Sequence, residues 1–129
     1  MRVVNVTKGT VLAESVREAR TFWPRLVGLL GRAHLRPGEG LALIPSSSIH
    51  TFFMRFPIDV VFTDANNRVV RTVSELRPFR VAAGGRGVKI ALELSPGSIL
   101  ASDTTPGDVL AFEQGERGPR RQRSTPFMA

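Results

Sequence analysis

The chain has 129 residues, a length at which one domain buries about two-thirds of the surface of its unfolded chain and needs no metal or disulfide support. It contains no cysteine, which excludes a disulfide framework, a thiolate metal site and a cysteine nucleophile. The formal net charge of +7 is carried almost entirely by arginine, which raises the question of a polyanionic partner.

The first third of the chain predicts a hairpin, a helix and a further strand. Residues 2–6 and 10–14 are short apolar runs on either side of a glycine-containing turn, as in two strands joined by a hairpin loop. Over about 22–31, apolar side chains recur at the spacing of one helical face. After a turn rich in glycine and proline, residues 41–45 form another short apolar strand.

The middle of the chain contains the strongest strand signals. Residues 49–55 and 58–63 are rich in β-branched and aromatic side chains, and Pro57 between them belongs at an edge or a bend. A polar turn at 64–67 leads into a partner strand at 68–75. The sequence therefore predicts a β-hairpin here.

The last third predicts a strand, a short helix and a final strand. Residues 88–94 alternate between apolar and mostly polar side chains, the pattern of a half-buried antiparallel strand. In this strand Glu93 points either to a cleft or, as we favour, to water. A serine–proline pair can begin a short helix over about 96–102, and a last strand follows at 109–112.

These elements predict one domain over residues 1–112 and a flexible, basic tail over 113–129. The tail is poor in apolar residues and rich in arginine, which is typical of disorder. About seven or eight short strands and two short helices indicate an α+β fold, built mainly from an antiparallel sheet with a barrel-like shape.

Four blocks of the sequence occur in a characteristic order: RLVGLLGRAHLRPGEGLALIP, IHTFFMRFPIDVVFTDANNRVV, KIALELSPG and PGDVLAF. Together they resemble the DUF192 (UPF0127) family of small bacterial and archaeal proteins, over roughly residues 10–112. The first block departs from the usual Gly-Leu-Met-x-Arg pattern at Leu30, and the second has Phe53 where many members have tryptophan. The resemblance implies a fold and a candidate surface, and it implies no activity because the family is uncharacterised.

The candidate binding site lies in the second block. It comprises a histidine, an aromatic residue, a thioether and two charged residues: His50, Phe53, Met54, Arg55 and Asp59. For His50 we favour a core histidine with one hydrogen bond over a functional role, in which a carboxylate would orient it as a general base or as an anchor for an acidic ligand. Asp59 interrupts an apolar strand, so it faces water or is paired, and we favour a structural ion pair with Arg55 over a ligand-facing acid.

The sequence contains no pattern for a metal or a cofactor. His34 and His50 are the two histidines, and neither occurs in a metal-ligand motif. The glycine cluster at 84–87 precedes a strand rather than a helix, which argues against a phosphate cradle. We therefore predict no cofactor and no metal.

No pattern of export or membrane insertion is visible at the N-terminus. Polar residues and a glycine interrupt the apolar stretch of about 7–15 residues that a secretory signal needs. No apolar run approaches the roughly 18 residues of a membrane span. We expect a soluble, cytoplasmic protein.

Three functional hypotheses follow, and we favour the first. A non-catalytic binding or accessory module would use a pocket or groove beside His50 and Asp59 to bind a small molecule or a protein partner. A small hydrolase-like enzyme would use His50 and Asp59 as an acid–base pair. Weak binding of nucleic acid would require arginines of the predicted helix and of the middle of the chain on one face, but we expect the phenylalanines to point into the core.

Overall fold

The computed structural model describes residues 1–20 and 34–114, within which the chain forms ten strands and one helix. In chain order these are β1 (Arg2–Asn5), β2 (Thr10–Ala13), β3 (Ser15–Ala19), β4 (Glu39–Leu43), β5 (Ser48–His50), β6 (Ile58–Asp64), β7 (Val69–Leu76), β8 (Val81–Ala83), β9 (Val88–Leu94), α1 (Ser98–Ser102) and β10 (Leu110–Glu113).

A five-stranded sheet with the order β3-β4-β9-β6-β7 forms the centre of the fold. Its strands pair antiparallel except for β3 and β4, which are parallel. A three-stranded antiparallel sheet has the order β10-β1-β2, and β5 pairs with β8 in a two-stranded ribbon. The predicted α+β fold with mainly antiparallel pairing is therefore confirmed.

The predicted barrel-like closure is wrong for the part of the chain that the structure describes. The central sheet begins at β3 and ends at β7, and these two edges do not pair with each other. Strands β5 and β8 pair with each other instead of extending an edge, and they pack buried Ile49 and Ala82 into the core. The result is three open sheets rather than a closed one.

The central sheet is covered on both sides, because its middle strands β6 and β9 carry apolar side chains on both faces. In β6, Ile58 and Val60 belong to one core cluster and Val61 to the other. We call the first the ribbon side, since it contacts β5, β8 and the loop after β5; we call the second the helix side, since it contacts α1 and the three-stranded sheet. Burial of each of these side chains contributes about 1.5–3 kcal/mol.

Several predicted elements are confirmed and others are not. The hairpin of β1 and β2 and the hairpin of β6 and β7 form as expected. The helix predicted at 96–102 occurs as α1, whereas the one predicted at 22–31 falls in 21–33, outside the described residues. The strand predicted at 49–55 ends at His50, because the chain turns there and Phe53 adopts a left-handed backbone with φ 66°.

Residues 115–129 are also outside the described residues, and they include most of the predicted tail. Among the described residues, no helix is long and apolar enough to cross a bilayer.

Candidate functional site

Two neighbouring loops of the ribbon side are tied together by Thr51. The first loop, residues 51–57, connects β5 to β6, and the second, residues 77–80, connects β7 to β8. Thr51 is fully buried, and its hydroxyl donates to the carbonyl of Arg77 at 2.6 Å and accepts from the backbone N–H of Arg80 at 2.9 Å. The backbone N–H of Thr51 also donates to the carbonyl of Arg80. The loops are therefore fixed relative to each other.

Three phenylalanine rings project from these loops into solvent. Phe52 is 40% exposed, Phe53 is 76% exposed and Phe79 is 55% exposed. Phe53 meets Phe79 edge to face at a centroid distance of 5.7 Å, and Phe52 lies 6.3 Å from Phe79. His50 stacks on Phe52 at 5.4 Å, so the four rings form one continuous row. We call His50, Phe52, Phe79 and Phe53 the aromatic row.

The expectation that the phenylalanines point into the core is wrong for these three. The physical reason is the end of β5: after His50, Met54 donates its N–H to the carbonyl of Thr51 in a tight turn, which leaves Phe52 and Phe53 on the outside. Met54 itself is buried in the core of the ribbon side. A prediction that extends the strand beyond His50 therefore assigns Phe52 and Phe53 to the wrong surroundings.

The backbone is strained at two of the exposed rings. Phe53 and Phe79 have φ angles of 66° and 64°, in the left-handed region that bulky residues rarely adopt. Such a conformation costs on the order of 1–2 kcal/mol per residue. Because the rings stay exposed, burial of apolar surface does not offset this cost. The fold holds both rings outward at the expense of stability.

The surroundings of the aromatic row are basic. Residues 50–58 and 76–88 contain four arginines and no aspartate or glutamate. Arg55 and Arg77 are exposed, and neither side chain forms an ion pair or hydrogen bond within the described residues. Unpaired guanidinium groups are suited to carboxylate and phosphate ligands, which they bind through a planar fork of N–H donors.

Asp59 is a buried carboxylate that serves the backbone. It is fully buried; its Oδ1 accepts from the N–H of Glu75 at 2.9 Å, and its Oδ2 accepts from the N–H of Ile99 at 2.8 Å. The predicted ion pair with Arg55 is wrong, because these backbone donors already satisfy the two oxygens. Asp59 thus joins β6 to the end of β7 and to the first turn of α1.

The structure does not bring His50 and Asp59 together. The ring of His50 is half-buried, and its Nδ1 accepts from the backbone N–H of Phe52 at 3.2 Å. His50 lies on the ribbon, whereas the contact of Asp59 with Ile99 places its carboxylate on the helix side. The central sheet therefore separates the two groups of the hypothetical acid–base pair.

The expectation that Glu93 points to water is wrong, because its side chain is buried and the residue is 3% exposed. Its strand lies between β4 and β6, where Glu93 is opposite Leu41 and Val60 on the ribbon side. Burial raises the pKa of Glu93 to about 8, and its Oε1 has no hydrogen-bond partner. Burial therefore favours the protonated form of this carboxyl, and none of the ion pairs among the described residues includes it.

Two further observations concern a cavity away from His50 and the side chains that could bind a metal ion. A cavity of about 310 Å³ lies between β2 and the segment around Pro96 and Gly97. Its two serine hydroxyls, those of Ser95 and Ser98, lie 3.0 Å apart and bond to each other. No group of three or more histidine, aspartate or glutamate side chains that could hold a metal ion occurs in residues 1–20 and 34–114.

Comparison with known proteins gives consistent matches. The model of the DUF192 family, described as uncharacterized, matches residues 3–112. The UPF0127 protein of Thermococcus sibiricus is 35% identical over 122 residues, which cover 88% of this chain and 76% of that protein. The UPF0127 protein of Pyrococcus furiosus is 33% identical over 118 residues, which cover 87% of this chain and 98% of that protein.

A solved structure shares the fold. The crystal structure of a protein of unknown function from Novosphingobium aromaticivorans superposes with a TM-score of 0.74, covering 86% of this chain and 82% of that one. The sequence identity is 19%, so the likeness concerns the fold alone.

Proposed function

The chain belongs to the DUF192 family, and from the geometry of its surface we propose that it is a non-catalytic binding module that takes an anionic ligand on the aromatic row. The main observation in support is that Phe53 and Phe79 are exposed and have left-handed backbone conformations. Strain of this kind persists where the surrounding structure enforces it, and it concentrates at ligand-binding sites.

The charge of the surface supports an anionic ligand. Arg55 follows Phe53 by two residues, and Arg77 and Arg80 flank Phe79. No acidic residue occurs in either loop to neutralise them. A ligand with negative charge and an apolar or planar face would therefore meet complementary groups along the row.

The candidate residues divide into ligand-facing and supporting ones in this proposal. His50, Phe53 and Arg55 face the ligand. Met54 anchors the first loop in the core, and Asp59 supports the second loop through the N–H of Glu75, just before that loop begins. The hypothetical enzyme loses support, because its acid–base pair is divided by the central sheet.

The test is binding of inorganic polyphosphate, a polyanion without any planar group, measured by isothermal titration calorimetry at several salt concentrations. We expect affinity to fall steeply with salt, and Arg77→Gln to lower the slope of log Kd against log salt by about 0.7–0.9. Arg17→Gln is the matched control, since Arg17 is exposed on β3, at the edge of the central sheet opposite β7.

Both variants keep the arginines at 117–123, so any binding by those residues is equal in the two. The proposal fails if polyphosphate does not bind, or if Arg17→Gln weakens binding as much as Arg77→Gln.

A further inference from the structure

We infer that the aromatic row is a base-stacking platform and that the anionic ligand is single-stranded nucleic acid. This inference rests on the proposed function and specifies its ligand. Arginines alone would serve any polyanion; the rings are the feature that selects among polyanions.

The outer face of the ribbon continues into the row. In the pairing of β5 with β8, Ile49 lies opposite Ala82, and both are buried towards the core. The next pair is His50 opposite Val81, whose side chains lie on the outer face because successive side chains alternate. Val81 is 63% exposed. Aromatic residues on the outer face of a small sheet are a common arrangement in proteins that bind single strands.

The rings of the row fit a chain of planar groups. Successive centroids are 5.4, 6.3 and 5.7 Å apart, and the interplanar angles are 27°, 40° and 72°. The changing ring planes prevent one extended planar ligand from covering the row, whereas a flexible strand can turn each base separately. Every base has a π face, so such stacking tolerates different sequences.

The arginines supply the phosphate contacts that stacking requires. Arg55, Arg77 and Arg80 are each within two residues of an exposed ring, and the described residues offer no carboxylate partner to any of them. An arginine can also stack on a base through its own plane. Rings interleaved with arginines thus match a polymer that alternates planar bases with phosphates.

A single strand fits better than the other anionic partners. A duplex hides the faces of its bases, so the rings would remain unused. An acidic peptide would pair with the arginines but would leave the rings without planar partners. An anionic membrane surface could take up the rings. However, the aromatic residues enriched at membrane surfaces are tryptophan and tyrosine, which carry a polar group, and the chain has one tryptophan and no tyrosine.

The experiment compares two labelled oligonucleotides of about 12 nucleotides by fluorescence anisotropy: one of thymidines and one with the same backbone but abasic positions. We expect the thymidine strand to bind at least about 10-fold more tightly. Phe53→Leu should weaken its binding about 5-fold or more and leave the abasic strand unaffected. Leu100→Ala is the control, because Leu100 is 86% exposed on α1, which packs on the side of the central sheet opposite the ribbon.

The outcomes separate the inference from the proposed function. Equal affinities for both strands, with salt dependence that Arg77→Gln still reduces, would overturn base stacking and leave anion binding intact. Absence of binding to polyphosphate and to both strands would overturn both. Binding to phosphatidylserine vesicles that depends on Phe53, without binding of the thymidine strand, would overturn the inference in favour of a lipid headgroup.

Discussion

The two sides of the central sheet use their polar and aromatic groups in opposite ways. On the helix side, buried carboxylates accept hydrogen bonds from donors of the chain itself, as at Asp59 and Asp108. On the ribbon side, Glu93 keeps an oxygen without a partner, and the aromatic row remains in solvent.

Asp108 is the helix-side carboxylate whose oxygen accepts the most hydrogen bonds among the described residues. Its Oδ2 accepts from Asn5 Nδ2 at 2.8 Å, from Lys8 Nζ at 2.9 Å and from the N–H of Thr105 at 3.0 Å. The hydrogen bond from Asn5, followed by those from Lys8 and Thr105, lowers the pKa of Asp108 to about 2. This network joins the turn after β1 to the loop before β10.

This difference assigns stability to the groups of the helix side and makes the ribbon side the place where we propose binding. The buried carboxylates of the helix side hold distant segments together through the hydrogen bonds that they accept. The loops of the ribbon side expose rings, together with guanidinium groups that form no ion pair within the described residues. Substitutions on the helix side should therefore change stability, whereas substitutions of the exposed groups on the ribbon side should change binding.

The largest expected effect is that of Glu93 on the pH dependence of the free energy of unfolding. The folded protein keeps the Glu93 proton up to about pH 8, whereas the unfolded chain releases it near 4.5. The free energy of unfolding should therefore fall as pH rises between these values, by up to roughly 1.4 kcal/mol per pH unit, and become level above them. Glu93→Gln should remove this fall in urea titrations at pH 5 to 9.

The control is Glu75→Gln, which removes an exposed carboxylate and should keep the fall of the wild type. If the wild type and Glu93→Gln differ by a constant amount over this pH range, then Glu93 does not carry a proton in the folded state.

Asp59→Ala should destabilise the protein by about 3 kcal/mol. The substitution leaves the N–H groups of Glu75 and Ile99 without acceptors, and hydrogen bonds to a charged group contribute about 1.5–3 kcal/mol each. Asp64→Ala is the matched control, because Asp64 Oδ1 also accepts from two backbone N–H groups but lies in a turn open to water.

We expect the control to lose about 1 kcal/mol or less, since water can replace its carboxylate. Equal losses in urea titrations would mean that burial of Asp59 adds nothing. Should Asp59→Ala not fold, Asp59→Asn keeps one acceptor and should lose less.

The pattern of apolar residues was sufficient to predict much of the fold. Both hairpins and the last helix follow from local signals, namely alternation between faces and turn residues such as those at 64–67. Ribbon strands β5 and β8 have three residues each, too few for alternation to identify them. Their pairing depends on contacts between residues far apart in the chain, which no local pattern contains.

The surroundings of the candidate residues could be predicted only in part, for the same reason. His50, Phe53 and Arg55 lie in a block that the sequence singles out, but the exposure of the rings depends on a turn at Thr51 and on a partner loop 26 residues away. The burial of Glu93 depends on the position of β9 between two strands. The alternating sequence of β9 is compatible with an edge strand and with a central strand. The sequence alone therefore does not show that Glu93 is buried.

Asp108→Asn tests the stability of the helix side at acidic pH. Because the folded-state pKa of Asp108 is about 2 and its ordinary value is 3.8, its contribution to stability is present above about pH 4 and lost as pH falls towards 2. The variant should therefore melt several degrees lower than the wild type at pH 7, with a difference that shrinks below pH 4. Asp103→Asn, in the same loop, is the control and should show no such convergence.

The smallest effect on stability, and the most direct test of the division between the two sides, is expected at Thr51. Thr51→Val removes the hydroxyl that joins the two loops and should cost about 1–2 kcal/mol, whereas Thr63→Val, at an equally buried threonine whose hydroxyl has no partner, should be nearly neutral. Binding should respond more strongly than stability, because the carbonyl of Thr51 also accepts from the N–H of Phe79.

If Thr51→Val loses stability but binds the thymidine strand as the wild type does, the aromatic row is held by contacts among its own rings. If Thr51→Val loses both stability and binding while Thr63→Val loses neither, the buried hydrogen bonds of Thr51 position the aromatic row.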